Sequence, residues 1–223
     1  MSKPTLAILG GTGKEGSGLA FRWAHDGYPV ILGSRSAERA KEAAAEMAQQ
    51  LGGNASVDGA GNLEAAQRCD IAILTVPYAA QKSTVEEVKD ALQGKILVDV
   101  TVPLVPPKVS RVTLPPEGSA VLAVQNLLGP GVRVVSAFQN VSAHHLKDLD
   151  FKIDCDVLIC GDDNDACEAA MALAKSAGMT GIRGGALVNS IVSEGLTSVL
   201  IAINQRYKVP AAGIRITGLN ETK

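Results

Sequence analysis

A doubly wound α/β fold of the Rossmann type, a mostly parallel sheet with a small C-terminal lobe, is what the 223 residues predict. Three observations carry this. Apolar runs rich in β-branched residues alternate with helical patterns, a glycine-rich turn follows the first run, and aromatic residues make up only 3% of the chain. Continuous apolar strands separated by amphipathic helices belong to a parallel sheet covered on both faces, and a core short of aromatics suits helices lying close on such a sheet.

The elements follow in order. A strand over Thr5 to Leu9 leads into a helix from Lys14 to His25, then a strand over Val30 to Gly33 and a helix over Ala37 to Leu51. A short strand at Ala55 to Val57 precedes a helix over Leu63 to Arg68, the apolar strand Ile71 to Val76, a helix from Gln81 to Leu92 and the strand Ile96 to Val100. Between Thr101 and Ser119 the rhythm breaks, because five of the 10 prolines fall there. This is a stiff loop at the carboxyl edge of the sheet, where ligands of doubly wound folds bind. Beyond it the pattern predicts a helix over Ala120 to Leu128, strands over Arg133 to Ala137 and Val157 to Cys160, and helices over Asp165 to Ala177 and Ser190 to Tyr207. In the last helix Val192, Leu196, Val199, Leu200 and Ile203 recur at spacings of three and four, which predicts that they form its buried face. The organisation expected is a dinucleotide-binding domain over residues 1–150 and a smaller lobe over 151–223 that closes a second cleft.

Composition narrows the partners. A net charge of −2 offers no basic field for nucleic acid. No apolar run reaches the about 18 uncharged residues of a membrane span, and the start of the chain enters a strand directly, so a cytoplasmic protein acting on small molecules is expected. The final helix could equally cover the sheet or pair with another subunit, which leaves a homo-oligomer open. Cys69, Cys155, Cys160 and Cys167 lack metal-site spacing and read as reduced packing residues.

Gly11-Thr12-Gly13-Lys14-Glu15-Gly16 fits G-x-G-x-x-G between a strand and a helix. In that context the glycines permit a tight turn and a close approach of backbone to pyrophosphate, at the positive end of the helix. About 20 residues on, NAD-binding members usually carry an acidic residue for the ribose 2′-hydroxyl. Here Ser34-Arg35 stands instead, with Arg39 one helical turn further. A cation at a helix start opposes the macrodipole unless an anion is near, and a guanidinium pairs well with a phosphate, so NADP(H) is preferred over NAD(H).

Proton-transfer chemistry is missing from the pattern. Tyr78 and Lys82 share the Y-x-x-x-K spacing of short-chain dehydrogenases, but too early in the chain and with the wrong glycine loop. His144 and His145 are adjacent and cannot converge on one ion, and Asp162-Asp163-Asn164-Asp165 reads as a helix cap. No catalytic acid or base and no metal ligand is assigned. Either the second substrate accepts hydride without a proton relay, or the chain only binds and senses NADP(H).

Taken together, Leu9-Gly10-Gly11-Thr12-Gly13, Gly33-Ser34-Arg35, the run from Cys69 to Pro77, Val135-Ser136-Ala137 and Cys160-Gly161-Asp162-Asp163 resemble the NADPH-dependent reductases of coenzyme F-420, a deazaflavin. The resemblance spans nearly the whole chain in unchanged order. It implies reversible hydride exchange between NADP(H) and the deazaflavin. By position it implies that Thr12, Gly13, Lys14 and Glu15 cradle the phosphates and that Ser34, Arg35 and Arg39 hold the 2′-phosphate. It further implies that Val76, Pro77 and Tyr78 flank the nicotinamide half, and that Gln139, Ala143 and the Ala212-Gly213 turn border the rings. Lys14-Glu15, Tyr78 and Gln139-Asn140 depart from the family pattern, so a reductase of another flavin, an imine or a metal chelate is the alternative enzyme.

Overall fold

A computed structural model describes residues 2–219. The strands are β1 (Leu6–Leu9), β2 (Val30–Ser34), β3 (Val57–Gly61), β4 (Ile71–Leu74), β5 (Ile96–Asp99), β6 (Arg133–Ser136), β7 (Asp156–Gly161) and β8 (Thr180–Arg183). The helices are α1 (Lys14–His25), α2 (Ala37–Gln50), α3 (Asn62–Arg68), α4 (Tyr78–Val88), α5 (Ala120–Leu128), α6 (Asn164–Ser176) and α7 (Ser190–Tyr207). The strands form one sheet in the order β3-β2-β1-β4-β5-β6-β7-β8. All neighbours run parallel except β6 and β7. The order reverses direction between β1 and β4, and such a switch point opens a crevice at the carboxyl ends of the strands.

Alternation along each strand feeds two cores. Leu6 and Ile8, Ile71 and Ile73 point to one face with Leu19, Trp23 and Phe138, while Ala7 and Leu9, Ala72 and Leu74 join Val85, Val121 and Val124 on the other. Both faces are therefore buried, as the unbroken apolar strands require. The residue-150 boundary falls between β6 and β7, which are paired, so strands from either side of it share the sheet. Buried Arg22 of α1 reinforces that continuity by donating to the carbonyls of Leu146 (2.8 Å), His145 (3.1 Å) and Ala177 (3.2 Å). Trp23 Nε1 donates to the Leu173 carbonyl of α6 at 2.9 Å.

Several elements differ from expectation. The third strand lies at Val57–Gly61, beyond Ala55 to Val57, because its Val-Asp-Gly-Ala-Gly sequence carries no apolar run. α4 starts at Tyr78, immediately after Pro77, since proline suits the start of a helix. β8 is a half-exposed edge strand, Thr-Gly-Ile-Arg, that periodicity gives no reason to expect. The proline-rich stretch holds no strand or helix and follows the sheet's carboxyl edge, as the sequence indicates. All four cysteines are buried and free. Asp163 Oδ1 accepts from the Ala166 amide at 2.8 Å, capping α6.

The largest correction concerns α7. Val192 and Val199 are 63% and 46% exposed, while Ser190, Ser193, Glu194 and Ser198 are buried with Leu200. The physical reason is a hydrogen-bonded polar seam that outweighs the apolar stripe. Glu194 Oε1 accepts from Ser119 Oγ (2.7 Å) and the Val121 amide (3.2 Å), and its Oε2 from the Ala120 amide (2.8 Å). A carboxylate of α7 thereby satisfies the free amides at the start of α5. By length and composition alone, Leu187–Tyr207 is apolar enough to cross a membrane, with mean hydropathy 1.4, although Glu194 and Arg206 interrupt it and leave no run of about 18 uncharged residues.

Candidate functional site

The loop after β1 turns at Gly10, whose φ of +80° lies in the left-handed region that favours glycine. The Gly11 amide donates to the carbonyls of Ile8 and Gly33, both at 2.9 Å, which ties the turn to β1 and β2. No side chain caps α1 at Gly13, so the first-turn amides remain available to an anion. Gly11 and Gly16 do not line the cleft. They lie under it, where a Cβ would stand 2.7 Å from the Ile8 carbonyl oxygen and 2.4 Å from Thr75 Oγ1, respectively.

Above the switch point lies a cleft of about 1020 Å³. That is the upper end of the range for one drug-sized ligand, about 300–1,000 Å³, and suits an extended dinucleotide with a further ring. The cleft brings together Thr12, Gly13, Lys14, Glu15, Ser34, Arg35, Arg39, Val76, Pro77, Tyr78 and Gln139, all expected from the sequence. Arg35 and Arg39 are exposed and engaged in no ion pair among the described residues. Lys82 turns toward Glu86, 3.9 Å away, and is not part of the cleft with Tyr78.

Two expected residues lie elsewhere. Ala143, in the turn Ala143–His145, packs on the core beside α1, in a segment tied down through Arg22. The Ala212 amide donates to Asn204 Oδ1 at 2.8 Å, holding the residue against the end of α7. Neither lines the cleft.

Sequence reasoning missed Asn62, Thr84, Phe138, Val141 and Thr197, which the cleft also includes. Asn62 could have been found, since it opens α3 directly after β3 and so falls at the carboxyl edge; its Oδ1 accepts from the Gly10 amide at 3.3 Å. Thr197 gives no such signal. The proline-rich loop contributes the apolar side chains of Val102, Leu104, Pro106 and Val109 to the lining.

A buried polar floor supports the apolar end. Asp99 closes β5 and accepts from Gln81 Nε2 and the Thr101 amide, both at 2.8 Å. Burial pushes its carboxyl up to about 7, with Glu194 adding to the rise. Burial also raises Glu194, against the hydrogen bonds from Ser119 and the α5 amides. The carbonyl of Asp99 accepts from Gln139 Nε2 at 2.7 Å, and the Gln139 carbonyl from Thr197 Oγ1 at 2.7 Å. Gln139 is thus fixed from both sides while its Oε1 stays buried without a partner among the described residues. Preceding it, Phe138 holds a φ of +72°, a strain of about 1–3 kcal/mol for a bulky residue. Its edge contact with Trp23, ring centres 5.7 Å apart, holds that geometry.

Such a fold and cleft define a doubly wound, dinucleotide-binding protein. Residues 5–103 match the family model described as NADP oxidoreductase coenzyme F420-dependent. The chain is 43% identical over 221 residues to the F420-dependent NADP reductase of Methanocaldococcus jannaschii, covering 96% of this chain and 98% of that protein. It is 44% identical over 224 residues to the F420-dependent NADP reductase of Methanothermobacter marburgensis, covering 97% and 99%. A crystal structure from Arthrobacter sp. fb24, described as a candidate f420 dependent nadp-reductase, superposes with a TM-score of 0.80 at 26% identity, covering 96% and 99%. The chain belongs to the coenzyme F420-dependent NADP oxidoreductase family.

Proposed function

We propose that this protein transfers hydride between NADP(H) and coenzyme F420, with the phosphates at the glycine loop and the two reacting rings at the apolar end of the cleft. The observation that carries this reading is the continuity of one cleft from Ser34, Arg35 and Arg39 to Pro77, Tyr78, Leu104 and Gln139. Ser34 and the two arginines receive the 2′-phosphate, and Thr12, Gly13 and Lys14 the pyrophosphate. When bound, the nicotinamide and the deazaflavin supply the carbons between which hydride passes, and solvent supplies the accompanying proton.

The chain's own part is alignment and exclusion of water. Val76, Pro77 and Tyr78 form one wall of the ring end, and the proline-rich loop forms the other. Holding two carbons in contact in a dry cleft accounts for much of the acceleration available without acid–base catalysis. Both partners are small redox cofactors, for which a cytoplasmic setting fits, and the apolar residues exposed on α7 suit pairing with a second copy of the chain.

Mixing the protein with NADPH and oxidised F420 tests the reaction. Nicotinamide and deazaflavin absorbance are expected to fall together, mole for mole. Turnover with a conventional flavin and none with F420 would reject the proposal.

A further inference from the structure

Hydride transfer gives no role to the carboxyl of Glu15. This half-buried side chain, on the second residue of α1, lines the cleft, and of its two carboxyl oxygens Oε1 is sealed from solvent without a hydrogen-bond partner among the described residues. A carboxylate there meets two costs at once, desolvation and the negative charge of an arriving pyrophosphate.

No charged side chain pairs with the Glu15 carboxyl among the described residues, and the opposing influence is the N-terminus of α1, whose uncapped amides favour an anion. β1 and β2, which pack on α1, carry no ionisable side chain. The turn Ala143–His145 presents His144 and His145, and α6 presents Asp165, Cys167, Glu168 and Lys175. On α1 itself stand Lys14, Arg22 and His25, and Arg35 and Arg39 belong to the same cleft. Arg22 is engaged with backbone carbonyls. Burial alone pushes the Glu15 carboxyl up to about 8, with no neighbouring charge contributing.

We propose that Glu15 meets NADP(H) as a neutral acid that donates a hydrogen bond to an acceptor oxygen of the cofactor, so that dinucleotide binding is coupled to a proton. Binding to the ionised enzyme transfers one proton from solvent to the Glu15 carboxyl, and none is released. The proposal rests on assigning the glycine loop to NADP(H). It adds a feature that the motif does not specify, since G-x-G-x-x-G leaves this position free.

Calorimetric titration of NADP+ into the full-length protein and into Glu15→Gln, in two buffers of different protonation enthalpy, tests it. The window runs from about pH 7.5 to about pH 9, where a phosphate monoester with a second pKa near 6 no longer titrates. The wild-type protein should bind roughly five- to tenfold more weakly at the top of this window than at the bottom, with proton uptake appearing as the group ionises. Glu15→Gln should hold its affinity within about twofold and take up no proton, because the amide donates without titrating. Tight wild-type binding that is flat with pH and free of proton uptake overturns the proposal, as does an equally steep loss in Glu15→Gln. Should that variant not fold, the wild-type proton count decides alone. Absence of NADP+ binding to the wild-type protein at every pH overturns the nucleotide assignment itself, a result distinct from pH-independent binding.

Discussion

The two ends of the cleft are built in different ways. The end assigned in our proposal to the phosphates comes from one stretch of chain, with Gly10 through Glu15 and Ser34 through Arg39 on consecutive strand-to-helix turns. The ring end is assembled from Val76 through Thr84, Val100 through Val109, Phe138 through Val141 and Thr197 of α7. Its polar floor is buried carboxyl and amide, and its shape depends on contacts between segments far apart in sequence. The contrast implies that binding of the dinucleotide and alignment of the second ring can be damaged separately.

Glu194→Ala should give the largest effect. It leaves Ser119 Oγ and the Ala120 and Val121 amides without their acceptor, a loss of about 2–4 kcal/mol. In a chain of this size each kcal/mol lowers Tm by about 2–4 °C, so thermal unfolding should shift down by about 5–15 °C. Because α7 carries Thr197 to the ring end, hydride transfer to F420 should slow while NADP+ affinity stays within about twofold. Equal losses in both would erase the distinction between the two ends.

Arg35→Ala comes next and acts at the opposite end. The charge-assisted pair with the 2′-phosphate should be worth roughly 10- to 100-fold in KM for NADP(H), with little change for NAD(H). Steady-state kinetics with both nucleotides checks this, and a matched rise for the two would remove the 2′-phosphate assignment.

A smaller effect distinguishes the buried floor. The Asp99 carboxyl, ordinarily near 3.8, stands at about 7 in the fold. Between these values the unfolded chain has released a proton that the folded protein keeps, so stability falls as pH rises through this window and then levels off. Asp99→Asn removes that titration. Its Tm should therefore decline less between about pH 4 and 7 than the wild-type Tm, by several degrees, since one proton held over about three pH units is worth at most about 4 kcal/mol. Parallel curves would show that Asp99 does not hold its proton.

The legibility of the site follows the same division. Residues 12–15 with Ser34, Arg35 and Arg39 could be placed at the cleft because a glycine-rich strand-to-helix turn is a local backbone problem, and few residue types solve it. The apolar wall was legible only as a place, since five prolines after a strand imply a loop at the carboxyl edge without fixing which side chains turn inward. Ala143 and Ala212 were misplaced because nothing local indicates that Arg22 draws Leu146 toward α1 or that Asn204 holds the C-terminal turn. Thr197 was missed for a related reason, as the polar side of α7 carried the contacts.

By itself, the sequence determined the alternating strands and helices, the covered sheet and the glycine-rich turn between β1 and α1, because periodicity and turn chemistry act over a few neighbouring residues. Tertiary structure alone decided which face of α7 is buried, that Gln139 is clamped between Asp99 and Thr197, and that Glu15 Oε1 and Gln139 Oε1 are buried without a partner among the described residues. Those outcomes depend on desolvation and on hydrogen-bond partners dozens of residues away, and hydrophobic spacing encodes neither.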